Sequence, residues 1–400
     1  MSPGKGDDAL LLLLRDHEVE DAAPWLQRGG VTSRKHLLDV TEEDVQAAGL
    51  PTFVARRFAK MLEVLRVVQV LEESTDVPEI VAAMRGHAGR AGVQAAGCRR
   101  IRLLMPTPEG CEYSRNTNGE ALSSCQSAYA KLADDGVDDV LLAAMQMHTS
   151  SGEVQRLACR VLSFLLRVDT ISVDIAAKGG IEVVLKAVEA HGSSSGAQEW
   201  GCIALGNLAT REDNSLAIAK KGGIQAVLQA MKAHGSSAGV QRSGCFALGN
   251  LCAWDVWSNA DNQAIGGIEA VLKAMRDVSS AGVQESGCLS LGKLASNNAD
   301  QRETIAANGG IEAVVKAMVV HGSNAGVLAS GCVALLSVSC EESMWGTFSF
   351  SGPGAQAAIR AKILEVGAAE LVRRALAAFP RHEVLQSNGK KLLGTLGQFR

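Results

Sequence analysis

Eight residues, Gly244–Leu251 (GCFALGNL), constrain what this chain can fold into more than any other feature. They return as GCIALGNL at 201–208, GCLSLGKL at 287–294 and, loosened, GCVALLSV at 331–338. The copies opening at Gly201, Gly244, Gly287 and Gly331 are spaced 43, 43 and 44 residues apart, and fainter ones open at Gly97, Ala158 and Gly389. A period in the forties describes a helical unit too small to bury its own apolar face. Such units stack, and the core is shared between neighbours.

Each repeat reads in three parts. NSLAIAKKGGI (214–224) and RETIAANGGI (302–311) are a short helix closed by Gly-Gly, the expected left-handed cap and turn. GIQAVLQAMKAHG (223–235) is a second helix with Ile224, Val227, Leu228 and Met231 on one face. After a Ser-Ser-Ala-Gly connection, VQRSGCFALGNL is a third. This order, with its Gly-Gly-Ile turn and ALGNL ending, resembles the armadillo repeat across 169–339 and more weakly across 77–168 and 355–397. The resemblance implies an all-α fold, a right-handed armadillo-type superhelix of about seven repeats over 77–400.

Residues 1–66 have a different pattern. A helical start (Asp8–Arg15) leads to a Gly29–Gly30 turn, then LLDVTEEDVQAAGL at 37–50 and a long helix from Pro51 carrying Arg56-Arg57. Thr41 before Glu42, Glu43 and Asp44 reads as an N-cap with acids in the first turn. Phe53, Phe58, Met61, Leu62 and Leu65 are expected to form one apolar stripe on the last helix. These segments resemble a sterile alpha motif (SAM) domain, a five-helix interaction module, joined at 67–76 by a helical connection that caps the first repeat. Glu42, Glu43 and Asp44 on one side and Arg56, Arg57 and Lys60 on another are either a solvated surface or complementary patches for head-to-tail self-association.

The composition narrows the function classes. Apolar residues make up 47% and aromatics 4%, which gives a mainly aliphatic core. A net charge of −4 does not favour wholesale binding to nucleic acid or to an anionic membrane. The longest apolar runs, Ala9–Leu14 and Val140–Met145, fall short of a membrane span, and Ser2 rules out myristoylation. A cytoplasmic setting is expected, with the nucleus allowed. Of ten cysteines, Cys98, Cys159, Cys202, Cys245, Cys288 and Cys332 share one repeat position. Stacked helices stand about 8–10 Å apart, too far for disulfides between successive copies, so these thiols are expected in the packing.

A helical wheel sorts the third helix. Gln241, Cys245, Leu248 and Cys252 share the packed side, while Ser243, Phe246 and Asn250 form the opposite row. The equivalent rows are Trp200, Ile203 and Asn207 in the preceding repeat and Ser286, Leu289 and Lys293 in the next. In armadillo proteins the third helices line a concave groove, where an Asn at this position holds an extended peptide backbone beside an aromatic four residues earlier. Phe246 and Asn250 match that pattern and Ile203 with Asn207 matches in part, so the resemblance implies a partner-binding groove of Trp200, Ile203, Asn207, Ser243, Phe246, Asn250, Leu289 and Lys293. The alternative is that Asn207 and Asn250 cap local backbone. Lys293, Ser337 and Thr395 replace Asn in later repeats, which breaks the ladder used by receptors for nuclear-localisation signals.

Other features offer less. His148, His191, His234 and His321 recur after the second helices, where a charge favours the helix end. Histidines one repeat apart cannot converge on a metal. Two spacers, 106–119 and 341–356, break the period and are either binding loops or drift in outer repeats. Trp254, Trp257, Trp345, Phe348 and Phe350 are candidate anchors there and in the loop into the fifth repeat. No GxSxG, HExxH, CxxC or Walker A motif occurs, so no enzyme activity and no cofactor are expected. The sequence points to a protein-binding scaffold, with an RNA-binding or ligand-sensing regulator acting in trans as the alternative and a nuclear-transport cargo receptor behind both.

Overall fold

The computed structural model describes residues 10, 14, 19–31, 33–106, 119–252, 261–296, 298–340 and 353–397, apart from the side chains of 20, 34, 119–124, 261–265 and 353. Every regular element among them is helical. Both spacers and the five candidate anchor aromatics lie wholly or mostly outside the described residues.

The chain divides into two compact units, the first comprising residues 1–105 with 135–147. Its N-terminal part holds short helices Ala23–Arg28, Arg34–Leu38 and Glu42–Ala47 against the 22-residue helix Thr52–Glu73. Thr41 closes a capping box: its Oγ accepts from the Asp44 N–H at 3.1 Å, and the Asp44 carboxylate accepts from the Thr41 N–H at 2.8 Å. Phe58, Met61, Leu62 and Leu65 pack with Leu14, Leu26 and Leu37, and Trp25 meets Phe58 edge-on at 6.0 Å. Phe53 is a correction to the expected stripe. It is 64% exposed and carries the Arg57 guanidinium over its ring at 4.3 Å. Five residues before Phe58, it lies about 140° away around the helix and misses the core face.

The boundary expected at residue 66 falls within the unbroken helix Thr52–Glu73. Its N-terminal half closes the bundle. Beyond it, Arg100 on the helix Ala91–Leu104 donates to the Ser74 carbonyl at 2.6 Å. The long helix and Ala91–Leu104 pack together, with Val77–Gly86 and Val137–Met147 completing the unit.

The second unit, residues 106–134 and 148–397, is an all-α solenoid. Its third helices, Gly152–Leu165, Ser195–Leu208, Ala238–Leu251, Ala281–Ser296, Ala325–Ser339 and Glu383–Thr395, lie against one another in chain order. Short first helices turn into second helices through Gly179, Gly222 and Gly309, all at φ 81°, a conformation that favours glycine.

The fifth repeat departs from the three-part reading. Asp261–Met275 is one continuous helix through Gly266–Gly267. In the third, fourth and sixth repeats, three residues separate a buried Ile (Ile175, Ile218, Ile305) from the first glycine, and that Ile packs under the second. In the fifth repeat Ile265 directly precedes Gly266, so nothing forms a separate first helix to be closed.

Two side-chain ladders run along the array, one within repeats and one between them. Buried Gln198 and Gln241 donate to the last carbonyls of their second helices, Val188 and His191 in one case and Met231 and His234 in the other, at 2.7–3.1 Å. Gln94, Gln155, Gln284 and Gln386 make equivalent bonds. They satisfy helix-end acceptors that have no intrahelical partner. The recurrent histidines work between repeats: the Nε2 atoms of His191, His234 and His321 donate to the carbonyls of Thr149, Gly192 and Val278 at 2.7–2.8 Å. A backbone bond to the preceding repeat is thus common to these three histidines.

Candidate partner-binding wall

The third helices approach so closely that little separates backbone from backbone. A Cβ added to Gly206 would lie 2.6 Å from the Phe246 ring, and one on Gly249 would lie 2.9 Å from Ser290 Cα. Cys202, Cys245, Cys288 and Cys332 are fully buried on the packed side, and burial pushes the Cys202 and Cys245 thiols up to about 12.

The opposite row is not uniformly open, which corrects the wheel. Asn207 and Asn250 are each 4% exposed, Ile203 is equally buried and Ser243 is fully buried. The Asn207 amide donates to the Ser163 carbonyl at 2.7 Å and the Asn250 amide to the Gly206 carbonyl at 2.8 Å, each reaching the third helix of the preceding repeat. The Lys293 ammonium in turn donates to the Asn250 side-chain oxygen. Ser243 donates to the Gly239 carbonyl of its own helix at 2.8 Å. The physical reason is the spacing: with helices this close, an outward-leaning amide meets the neighbouring helix before it meets solvent. These asparagines bond between repeats, which is neither the local cap nor the open peptide clamp.

What remains accessible is a narrower line of half-buried side chains: Trp200, Phe246, Leu289 and Lys293. Cations lie over the rings. Arg160 stands 4.9 Å from the centre of Trp200, and Lys293 stands 5.8 Å from that of Phe246. Behind this line lies a buried aromatic cluster that the sequence reading missed. Phe164, at the repeat position of Asn207, packs at 6.4 Å against both Trp200 and Tyr129, with Arg167 5.6 Å from its ring. A weak repeat signal at Ala158–Leu165 hid Phe164, although the wheel places it in the Asn row.

In the N-terminal part, Glu42, Glu43, Arg56 and Lys60 are exposed and Arg57 is half-buried over Phe53. The Asp44 carboxylate is committed to the capping box, whose hydrogen bonds hold it below its ordinary pKa. An open cleft of about 360 Å³ lies beside Trp25, Val31, His36 and Asp39.

Comparison with known proteins places the fold alone. No family model matches the sequence, and no curated protein matches it. Two engineered proteins solved by the Northeast Structural Genomics Consortium superpose with TM-scores of 0.52 and 0.51, at 19% and 17% identity. Each covers 64% of this chain, and 96% and 98% of their own lengths are matched. A chain from a structure describing a conserved phosphorylation switch in the interaction between cadherin and β-catenin superposes with a TM-score of 0.59 at 14% identity. That match covers 96% of this chain and 65% of the other. The chain therefore shares with these structures an all-α solenoid fold.

Proposed function

We propose that the chain is a non-catalytic interaction scaffold of the armadillo kind whose third-helix wall binds an acidic, extended segment of a partner protein. The observation that carries this reading is the line Trp200, Phe246, Leu289 and Lys293, with Arg160 and Lys293 set over aromatic rings. Rings in this setting offer apolar area at low entropic cost, and the cations beside them favour carboxylates over ammonium groups. The structural neighbour from the cadherin–β-catenin interaction supports a role in protein binding. The N-terminal part serves as a SAM-like second contact, with self-association through Glu42 and Glu43 against Arg56 and Lys60 as its simplest form.

Selection from a random 15-residue peptide display library tests the wall. Acid-rich peptides with apolar residues are expected to be enriched on the native chain and lost when Arg160→Gln and Lys293→Gln are combined. Enrichment of basic peptides, or of acidic ones that survive both substitutions, would sink the proposal.

A further inference from the structure

On four successive third helices the residue after the ladder glutamine is charged: Arg156, Glu199, Arg242 and Glu285. Each side chain lies along the second residue of the next third helix, which is always a glycine. A Cβ on Gly196 would sit 2.7 Å from Arg156 Cδ and one on Gly239 2.5 Å from Glu199 Oε2. One on Gly282 would sit 3.0 Å from Arg242 Cδ and one on Gly326 2.9 Å from Glu285 Oε2. The four therefore form a continuous row, one helical turn from the row of Arg160, Ile203, Phe246 and Leu289.

The middle of this row is neutralised and its ends are not. Arg242 and Glu199 stand 3.8 Å apart. Arg156 has no carboxylate partner among the described residues, and one turn on, the Arg160 Nε is buried without an acceptor. At the other end Glu285 is half-buried, with no ion pair or hydrogen bond among the described residues. Burial raises its carboxyl above the ordinary range, against the opposing pull of Arg242 and His382. A carboxylate partly stripped of water and given no donor gains from an incoming cation.

We propose that Glu285 is a specificity site for a basic side chain, carried by the same partner segment that sets a carboxylate on Arg156 and Arg160. The site presupposes that the wall binds an acidic, extended segment. Third helices about 8–10 Å apart put the three steps from Arg156 to Glu285 at about 24–30 Å. An extended chain rises about 3.3 Å per residue and alternates sides, so side chains reaching one row are an even number apart, here about eight. Lys293 lies on the far side of Leu289 from Glu285, so the residue next to the base favours an acid.

The test repeats the 15-residue peptide selection on the full chain carrying Glu285→Gln or Glu285→Lys. The native chain is expected to enrich acid-rich peptides with a Lys or Arg about eight residues from an Asp or Glu. That base should vanish from the Glu285→Gln pool and give way to an acid in the Glu285→Lys pool, with the selection of acids by Arg160 and Lys293 kept in both. The most enriched native peptide is then synthesised with its base as Lys and as Gln. The Lys form should bind the native chain about fivefold more tightly, the worth of one half-exposed ion pair, and the Glu285→Gln chain should not tell the two apart. Circular dichroism checks that this near-isosteric variant is folded. Acid-rich peptides with no base at that spacing, or a base that persists in folded Glu285→Gln, overturn the Glu285 site and leave the wall reading standing. Absence of acid selection on the native chain overturns both.

Discussion

Gly249 and Gly394 occupy the same repeat position, five residues after Gly244 and Gly389, yet alanine is expected to act on them with opposite sign. In a helix interior, Gly→Ala removes backbone freedom from the unfolded chain and gains about 0.5–1 kcal/mol. At Gly394 nothing lies within 4 Å of the added Cβ, so that gain stands alone. Its place one residue from the end of Glu383–Thr395 puts it near the lower end of the range. At Gly249 the new carbon meets Ser290 Cα at 2.9 Å and Ser290 Oγ at 2.7 Å. Backbone cannot rotate aside, so the helices Ala238–Leu251 and Ala281–Ser296 must part by several tenths of an ångström.

Overpacking of that kind costs about 1–3 kcal/mol, which exceeds the propensity gain and leaves a net loss on the order of 1 kcal/mol. The displaced Ser290 hydroxyl also holds the Cys245 carbonyl at 2.6 Å, which adds to the cost. Gly292 makes a graded control, because its Cβ would meet Ala334 Cα at a milder 3.3 Å. In a chain this long, 1 kcal/mol moves Tm by only about 2–4 °C, and arrays unfold in parts. Urea titration combined with hydrogen exchange on the two helices is therefore the sharper assay. The expected order of stability is Gly394→Ala above native, with Gly292→Ala near it and Gly249→Ala below. If Gly249→Ala stabilises as Gly394→Ala does, the close approach of the third helices is refuted.

Asn207→Ala and Asn250→Ala should each lose about 1–2 kcal/mol in urea unfolding, since each strips a buried inter-repeat hydrogen bond. A variant of unchanged stability would restore the open-clamp reading of these amides. The capping box gives a pH effect of defined sign. Because hydrogen bonds from Thr41 lower the folded-state pKa of Asp44 from its ordinary 3.8, its contribution is present above that value and is lost as pH falls below it. Amide protection at Thr41–Val45 in the full chain should fall over that acid range in the native protein and stay flat in Asp44→Asn. Parallel curves would show that the box does not couple to folding.

The repeat length, the helix order and the buried cysteines could be read from the sequence because they depend on periodicity, which a single chain displays. The Gly-Gly turns were legible for the same reason. The fifth repeat then shows the limit, since Gly266–Gly267 matches the motif while Ile265 stands in the wrong place to use it. Gln241 was visible on the packed side, but its role as a clamp on the Met231 and His234 carbonyls required knowing where the second helix ends in space.

The asparagines mark the more basic limit. A wheel gives the direction of a side chain about its own axis and says nothing of the distance to the next axis. For Asn250 that distance is set by Gly206, whose missing side chain lets the next helix come within reach of its own carbonyl. The same small residues that make the stack tight therefore close the Asn row to a ligand. Among the described residues, larger side chains such as Trp200, Phe246, Leu289 and Lys293 keep part of their surface on the wall. On that reasoning, affinity for a partner should follow the rings and cations of this line, and stability should follow the amides beneath it.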